Sequence, residues 1–183
     1  MPDTRILLIR HAESAPAPDT PEADWPLSDA GVSQSLDLAA SLASRGSSRI
    51  YSSPFKRAIA TVQPLAAALG LSVTVDSDLR ERKSVEGWVE NRDEILRRSW
   101  LDFDFALPGC ESARACQDRM RTCLENIAAV NAAATAVACS HGNAIALFLN
   151  ALDPSFGYEQ WRAMKNPHVF DLRRTPDGWS YTP

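Results

Sequence analysis

The stretch Leu7-Leu8-Ile9-Arg10-His11-Ala12-Glu13-Ser14 gives the first indication of the fold. An apolar run ends inside it, and an arginine and a histidine follow at once. In an α/β protein this pattern marks the end of a buried strand and the start of a ligand-binding loop. A guanidinium that stays charged beside a titratable imidazole suits an anion, and phosphate above all. We therefore interpret His11 as a nucleophile that acts on a phosphate group.

Short apolar runs alternate with helical patterns along the rest of the chain. The patterns predict strands over 5–9, 49–52, 71–75 and 135–139, with helices between and after them. Two more strands, over 169–173 and 179–182, flank a hairpin-like turn. Strands that alternate with helices predict an α/β fold, a three-layer α/β/α sandwich whose mostly parallel central sheet carries helices on both faces.

Local signals refine the helix boundaries. Ser28 and Ser112 stand where an N-cap is expected, because a serine hydroxyl can accept a free N–H of the first helical turn. Ser53 and Pro54 predict a cap with proline at the first helical position. Pro64 lies inside the same helical pattern, so we predict a kink or a break just before it.

Size and composition favour an ordinary compact protein. The chain has 183 residues, 45% of them hydrophobic and 23% charged, which predicts a single domain over 1–183. The net charge is -4 and no basic stripe is present, so we expect no nucleic-acid partner. No signal peptide or membrane-spanning stretch is indicated, and the four cysteines form no Cys-x-x-Cys pair. We expect a reduced, cytoplasmic protein without a membrane partner.

Residues 82–110 carry the least regular pattern. Trp88, Trp100, Phe103 and Phe105 lie there among charged residues. We predict short helices that cover one end of the sheet and form a partial cap over the active site. Aromatic residues in such a segment belong to the core more often than to a substrate platform.

Chemically active side chains follow several of the predicted strands. His11 follows the first strand and His141 follows the fourth, while Arg57 lies in the first turn of the helix after the second. Glu81 lies in the loop after the third strand. The carboxyl ends of parallel strands meet at one edge of a sheet, where helix N-termini also present N–H donors to phosphate. We therefore predict that these residues share one pocket with Arg10.

This ordered set of motifs resembles the histidine phosphatase superfamily, which includes the cofactor-dependent phosphoglycerate mutases. The resemblance extends from residue 5 to about residue 150. Each motif alone is weak, but their order is specific. The matching segments are Arg10–Ser14, Leu27–Gly31, Ser53–Ala58, Leu79–Arg82, Pro108–Ser112 and Ser140–Asn143.

The resemblance implies a phosphoglycerate mutase-like fold and a ping-pong reaction through a phosphohistidine on His11. It implies a phosphate pocket of Arg10, Arg57 and His141, with Glu81 as the proton donor. The chemistry agrees, because nearby arginines oppose protonation of the nucleophile and stabilise the phosphoryl oxygens. Beside a bound dianion Glu81 should have a raised pKa, so that it can protonate the leaving oxygen and then activate water.

The remaining candidates are assigned weaker roles. Ser14 and Asn143 are placed to form hydrogen bonds with phosphate or backbone, and Arg82 is predicted to be a surface charge or to lie at the rim of the substrate site. The three histidines show no chelating spacing. We therefore predict no metal and no cofactor. His168 is expected to begin a strand and to bind no ligand.

The chain also departs from the family pattern. Alanine stands at position 12, where glycine is usual, and this methyl is tolerable only if the backbone has φ < 0. The chain is short and lacks the long insertion with which the mutases close over their substrate. A mutase must exclude water from its phosphohistidine, whereas a phosphatase must admit it. The departures favour a phosphatase.

The leading hypothesis is a metal-independent phosphatase that hydrolyses a small phosphorylated metabolite. One alternative is a phosphoglycerate mutase, and another is a catalytically silent protein that binds a phosphorylated ligand for regulation. A protein phosphohistidine phosphatase is a further option and requires an open, shallow pocket. Specificity should come from residues 15–26 and 82–110. The sequence does not indicate the substrate or the oligomeric state.

Overall fold

The computed structural model describes residues 3–87 and 89–183. The six strands are β1 (Thr4–Arg10), β2 (Ser47–Ser52), β3 (Val73–Val75), β4 (Thr135–Ser140), β5 (His168–Thr175) and β6 (Gly178–Thr182). The α-helices are α1 (Asp29–Leu42), α2 (Lys56–Leu69), α3 (Arg92–Leu101), α4 (Ala113–Val130), α5 (Gly142–Leu152) and α6 (Tyr158–Ala163). Short 3-10 helices cover Glu22–Asp24, Ala43–Arg45 and Ser77–Leu79. Trp88, which we assigned to the cap, lies outside the described residues.

All six strands form one mixed sheet in the order β3-β2-β4-β1-β5-β6. The pairs β3-β2, β2-β4 and β4-β1 are parallel, while β5 and β6 add antiparallel pairs at one side. The strand β1 is therefore central, with Arg10 opposite Ser140 on one side and His168 on the other. The predicted α/β class and mostly parallel sheet are confirmed, and His168 begins β5 as expected.

The sheet is covered on both faces because side chains alternate along β1. Leu7 and Ile9 pack with buried residues of α1 and α2. Ile6 and Leu8 pack with buried residues of α4 and α5 on the opposite face. All four side chains of the strand are essentially inaccessible to solvent. This packing gives the three-layer sandwich predicted from the sequence.

The predicted caps of α1 and α4 are confirmed. Ser28 Oγ accepts the N–H of Gly31, and Ser112 Oγ accepts the N–H of Ala115, at 3.0 and 3.1 Å. Within the described ranges no helix is both long enough and apolar enough to cross a membrane.

The start of α2 corrects a local prediction. The helix begins at Lys56 with Phe55 in the N-cap position, so Ser53 and Pro54 lie before it. Ser53 Oγ accepts the N–H of Phe55 at 3.2 Å and also lies 2.7 Å from Nε2 of His141. The Ser53 hydroxyl therefore contacts His141, in the loop after β4. A local sequence pattern cannot predict a contact between residues so far apart in the chain.

Of the kink or break predicted just before Pro64, the break is wrong. Helix α2 continues from Lys56 to Leu69 with Pro64 inside it. Its neighbours Val62 and Leu65 are completely buried against the sheet. Since tertiary packing supplies most of the stability of such a helix, it outweighs the single backbone hydrogen bond that proline cannot donate.

Candidate active site

The carboxyl edge of the sheet brings the predicted site residues together. The backbone N–H of His11 donates to the carbonyl of Ser140 at 3.1 Å, which joins the loops after β1 and β4. As a result, the ring centroids of His11 and His141 are 5.1 Å apart. Arg57 reaches the same place from the first turn of α2, and Glu81 reaches it from the loop after β3. The expected convergence is therefore present in the structure.

The hydrogen bonds of His11 define its tautomer. Nδ1 lies 2.6 Å from the carbonyl oxygen of Ala12, and because a carbonyl only accepts, Nδ1 must carry the proton. Nε2 is then an acceptor, and Arg57 Nε donates to it at 3.1 Å. Burial and the charge of Arg57 lower the pKa of His11 to about 3. The imidazole is thus neutral, with its lone pair on the nitrogen that faces the arginine.

Arg57 is almost wholly buried, with 3% of its surface exposed. Nη1 donates to the backbone carbonyl of Glu22 at 2.6 Å, and Nη2 donates to the carboxylate of Glu22 at 3.2 Å. The same carboxylate oxygen lies 3.5 Å from Arg92 at the start of α3. The guanidinium also lies over the ring of Phe55. These contacts hold Arg57 in one orientation against His11.

Arg10 supplies a second positive charge at this edge. Its Nη1 donates to the carbonyl of Met164, while Nε is buried and has no hydrogen-bond partner among the residues described. A Cβ at Gly142 would lie 3.0 Å from this Nε, so glycine allows the guanidinium to lie against the first residue of α5. Burial lowers the pKa of Arg10, and the charge of Glu81 opposes that effect. The Nε–H group of Arg10 is therefore available to donate a hydrogen bond to an incoming anion.

His141 is completely buried and neutral. Nε2 lies 2.7 Å from Ser53 Oγ, and Nδ1 is without a partner in the described part of the chain. Burial and the neighbouring His11 hold the pKa of His141 well below its ordinary value. The ring of Phe55 packs edge-on against it, with 4.8 Å between the ring centroids. A neutral ring that lacks one partner can offer a hydrogen bond to a phosphoryl oxygen.

Glu81 forms an unexpected connection to α5. Its carboxylate accepts three backbone N–H groups, from Arg82 at 2.8 Å, Ala144 at 2.9 Å and Asn143 at 3.1 Å. Two of these donors belong to the first turn of α5, where a negative charge is stabilised by the free N–H groups and the helix dipole. The helix thus fixes the carboxylate at the backbone of Asn143, two residues after His141 in the chain, and its charge acts on Arg10 and Arg57.

Three weaker candidates have mixed outcomes. Arg82 was predicted to be a surface or rim charge, but only 3% of it is exposed, because it points under α3 and donates to Ser99 Oγ at 2.8 Å. Asn143 is 4% exposed, and neither atom of its amide has a partner in the described residues. Ser14 is half-buried and pairs with Leu27 in an isolated β-bridge.

A cavity of about 580 Å³ adjoins the site. One wall comes from residues within 18–25 and the other from 80–83, 85–87 and Arg92, and Phe55 also lines the cavity. Arg82 therefore borders the cavity, as predicted for a residue at the rim, although it is buried. Trp100 and Phe103 pack on the core formed by α4 and α5, as predicted for aromatic residues of this segment. A ligand with its phosphate at His11 would extend between the two segments from which we expect specificity.

Three contacting residues were not identified from the sequence. Glu22 holds Arg57, Thr61 Oγ1 accepts the backbone N–H of the residue after His11 at 2.9 Å, and Asn166 Nδ2 donates to the His11 carbonyl at 2.7 Å. Thr61 lies one helical turn after Arg57, so its i,i+4 spacing was an available signal. Asn166 lies 155 residues from His11 and gives no local signal.

Over 3–87 and 89–183, no group of three or more histidine, cysteine, aspartate or glutamate side chains is arranged to hold a metal ion. The donors at the site are instead arginines, neutral imidazoles and backbone N–H groups, which suit an anion.

Comparison with known proteins identifies the family. The profile of the histidine phosphatase superfamily, branch 1, matches residues 6–182, and the chain belongs to this superfamily. The site described above lies within the matched residues.

Two curated relatives and one solved structure illustrate the similarity. The probable phosphoglycerate mutase GpmB of Salmonella paratyphi C is 27% identical over 160 residues, which are 81% of this chain and 74% of that protein. The bifunctional protein Rv2228c of Mycobacterium tuberculosis is 34% identical over 166 residues, 84% of this chain but only 46% of that protein. The mycobacterial glucosyl-3-phosphoglycerate phosphatase Rv2419c, solved with inorganic phosphate, is 26% identical with a TM-score of 0.74, covering 97% of this chain and 94% of that one.

Proposed function

We propose that this protein is a phosphatase that hydrolyses a small phosphomonoester through a phosphohistidine on His11. The observation that carries the proposal is the state of the His11 imidazole. Its Nδ1–H is held by the Ala12 carbonyl, and its unprotonated Nε2 faces the guanidinium of Arg57. This is a neutral nucleophile placed beside a buried cation that can stabilise a phosphoryl group.

The first half-reaction transfers the phosphoryl group to the enzyme. The phosphate binds between Arg10, Arg57 and His141, and Nε2 of His11 attacks phosphorus. As the N–P bond forms, the bond from phosphorus to the leaving oxygen breaks and Glu81 gives its proton to that oxygen. Arg57 exchanges its hydrogen bond to Nε2 for hydrogen bonds to the phosphoryl oxygens, so its charge acts where negative charge develops.

The second half-reaction regenerates the enzyme. Glu81, now a carboxylate, takes a proton from a water molecule whose oxygen attacks phosphorus. The N–P bond breaks, inorganic phosphate is released, and the lone pair returns to Nε2 of His11. Glu81 accepts three backbone N–H groups in the structure, two at Oε1 and one at Oε2. Because a protonated carboxyl retains acceptor lone pairs, Oε2, with fewer partners, can carry the proton while these hydrogen bonds remain.

A mutase is the second candidate, since GpmB is named as a probable phosphoglycerate mutase. It would use the same phosphohistidine but pass the phosphoryl group to a second hydroxyl group of a substrate. The two functions differ in how the phosphohistidine partitions between water and that hydroxyl group.

Rapid quenching of the wild-type protein tests the intermediate. With ³²P-labelled p-nitrophenyl phosphate and a chelator present, we expect turnover together with a labelled protein whose label is labile in acid and stable in alkali. This stability is that of a phosphorus–nitrogen bond. Turnover without any label on the protein would contradict the proposal, and so would a label that alkali removes, as from an acyl phosphate, or one that survives acid, as on a hydroxyl group.

The partition of the phosphohistidine between water and a substrate hydroxyl group is measured with 3-phosphoglycerate and a bisphosphorylated primer. We expect release of inorganic phosphate to exceed isomerisation at every primer concentration. Isomerisation that is faster than phosphate release would establish the mutase instead.

The Glu81→Gln variant tests the proton donor through its dependence on the leaving group. For a phosphate ester of an aliphatic alcohol we expect kcat/KM, which reports the first half-reaction alone, to fall by about 10²–10⁴, because that oxygen must be protonated as it leaves. For p-nitrophenyl phosphate, whose leaving group is stable as an anion, the transfer step should lose much less. The exposed Glu90→Gln variant is the control. Equal losses of kcat/KM for both esters would exclude Glu81 as the acid, whereas a loss of kcat common to both esters reports its role as the base in the second half-reaction.

A further inference from the structure

The nucleophile belongs to a closed ring of hydrogen bonds. Arg57 Nε donates to His11 Nε2 at 3.1 Å, and His11 Nδ1 donates to the Ala12 carbonyl at 2.6 Å. The Ala12 N–H donates to Thr61 Oγ1 at 2.9 Å, and Thr61 Oγ1 donates to the Arg57 carbonyl at 2.6 Å. The ring therefore returns to the residue from which it began, and all four residues are buried.

Thr61 closes this ring across two elements. A threonine inside a helix commonly returns its hydroxyl proton to the carbonyl four residues earlier, and Thr61 does so with Arg57. Because that bond uses the only hydroxyl proton, the lone pairs of Oγ1 remain to accept the Ala12 N–H. One hydroxyl thus joins the helix that carries Arg57 to the loop that carries His11.

We propose that Thr61 is a positioning residue that sets the placement of His11 Nε2 against the Arg57 guanidinium and keeps His11 in its Nδ1–H form. The proposal rests on the proposed function, since it assigns Thr61 to the reaction of that nucleophile. Thr61 itself touches neither the substrate nor the reacting atoms. It acts through Ala12, whose N–H it holds and whose carbonyl holds the imidazole.

The reason for an effect on catalysis is geometric. Without the hydroxyl, the Ala12 N–H would be buried without a partner, and the loop would have to shift to satisfy it. Such a shift moves the carbonyl that orients the imidazole and separates Nε2 from Arg57. A displacement of about 1 Å in a reacting group can cost about 10²-fold in rate.

A loosened loop should also change the titration of the nucleophile. The charged and titratable groups around His11 are Arg10 from β1, Arg57 from α2 and His141 after β4, with Glu22 and Glu81 beyond the arginines. The pKa of His11 is lowered to about 3 by burial and then by Arg57. Both effects weaken if the loop moves away. They are larger than the opposing effect of the Ala12 carbonyl, which raises the pKa, so the pKa should rise towards its ordinary value.

The experiment compares three variants with the wild-type protein. Thr61→Val keeps the shape and removes the hydroxyl, while Thr61→Ser keeps the hydroxyl. Thr122→Val is a matched control, because Thr122 in α4 donates to the carbonyl four residues earlier at 3.0 Å but is exposed. For each variant kcat, KM and the pH dependence of kcat/KM are measured with p-nitrophenyl phosphate, and folding is followed by thermal denaturation.

We expect Thr61→Val to lower kcat by about 10²-fold with a smaller change in KM, and to move the acid limb of kcat/KM to higher pH. Thr61→Ser should recover activity to within about threefold of the wild type, and Thr122→Val should match the wild type. Nitrogen chemical shifts of His11 should report the Nδ1–H tautomer in the wild-type protein and a mixture in Thr61→Val.

Several outcomes would overturn the proposal. Wild-type kcat and an unchanged acid limb in Thr61→Val would do so, as would a loss of activity that only follows the folded fraction. If Thr61→Val does not fold, Thr61→Ala is measured in its place. Full activity of His11→Asn would refute the proposed function, whereas an inactive His11→Asn beside a normal Thr61→Val would overturn the role of Thr61 alone.

Discussion

The His11→Asn variant should keep its fold and lose about 10⁴–10⁶-fold in kcat, because removal of a nucleophile leaves only binding and electrostatic stabilisation. Asparagine is neutral and similar in size, and its Nδ2 can donate to the Ala12 carbonyl in place of Nδ1. The loop after β1 should therefore retain the hydrogen bond to the Ala12 carbonyl. Steady-state hydrolysis of p-nitrophenyl phosphate gives the rate, and rapid quenching should show no phosphoprotein.

His168→Asn is the control for this loss. His168 begins β5 opposite Arg10 in the sheet and packs against the ring of Phe170. Its activity should stay within about threefold of wild type, since its ring packs on Phe170 and β5 lies on the side of β1 opposite β4, after which His141 follows. Comparable losses of kcat in both variants would indicate that the edge of the sheet is damaged. Full activity of His11→Asn would exclude a phosphohistidine from the mechanism.

The Arg57→Lys variant should lose about 10³-fold in kcat/KM although it keeps the positive charge. Arginine donates at once to Nε2 of His11 and to the backbone carbonyl and carboxylate of Glu22. The single ammonium of lysine cannot donate in all of these directions at once. The variant therefore loses the orientation of the positive charge towards His11 and the hydrogen bonds that Glu22 accepts. Steady-state kinetics give kcat/KM, and inhibition by vanadate reports binding of a transition-state-like geometry.

The inhibition constant for vanadate should rise nearly as much as kcat/KM falls, because both depend on the same donors. Arg114→Lys is the control, as its ion pair with Asp104 is exposed. If Arg57→Lys lowered kcat/KM but left vanadate binding unchanged, Arg57 would be supporting the fold of the loop and not the transferred phosphoryl group.

The sheet could be predicted because its determinants are local. The run from Ile6 to Ile9 is apolar at every position, which is expected of a central strand covered on both faces. The caps at Ser28 and Ser112 are likewise contacts between residues three apart. At Pro64 the local rule failed, because the helix is held by its packing on the sheet.

The site was predictable only as far as topology determines it. His11 and His141 follow parallel neighbouring strands, so their meeting at one edge follows from the strand order. The burial of Arg82 depends on how α3 packs over the loop after β3. The hydrophobic periodicity of the sequence does not indicate this packing. Glu81 contacts the first turn of α5, more than 60 residues later, so its two hydrogen bonds to that helix could not be foreseen.

The central place of β1 has a consequence for how the molecule is made. The strand β1 leaves the ribosome well before its partners β4 and β5, which lie more than 120 residues later in the chain. Until those strands emerge, the apolar segment Ile6–Ile9 lacks its partners, and unpaired strands of this kind are prone to aggregation. Asn166, which donates to the backbone carbonyl of His11, lies just before β5. The nascent chain therefore carries an unpaired apolar strand until β4 and β5 emerge, and the contact that holds the His11 carbonyl forms only after Asn166 has been added.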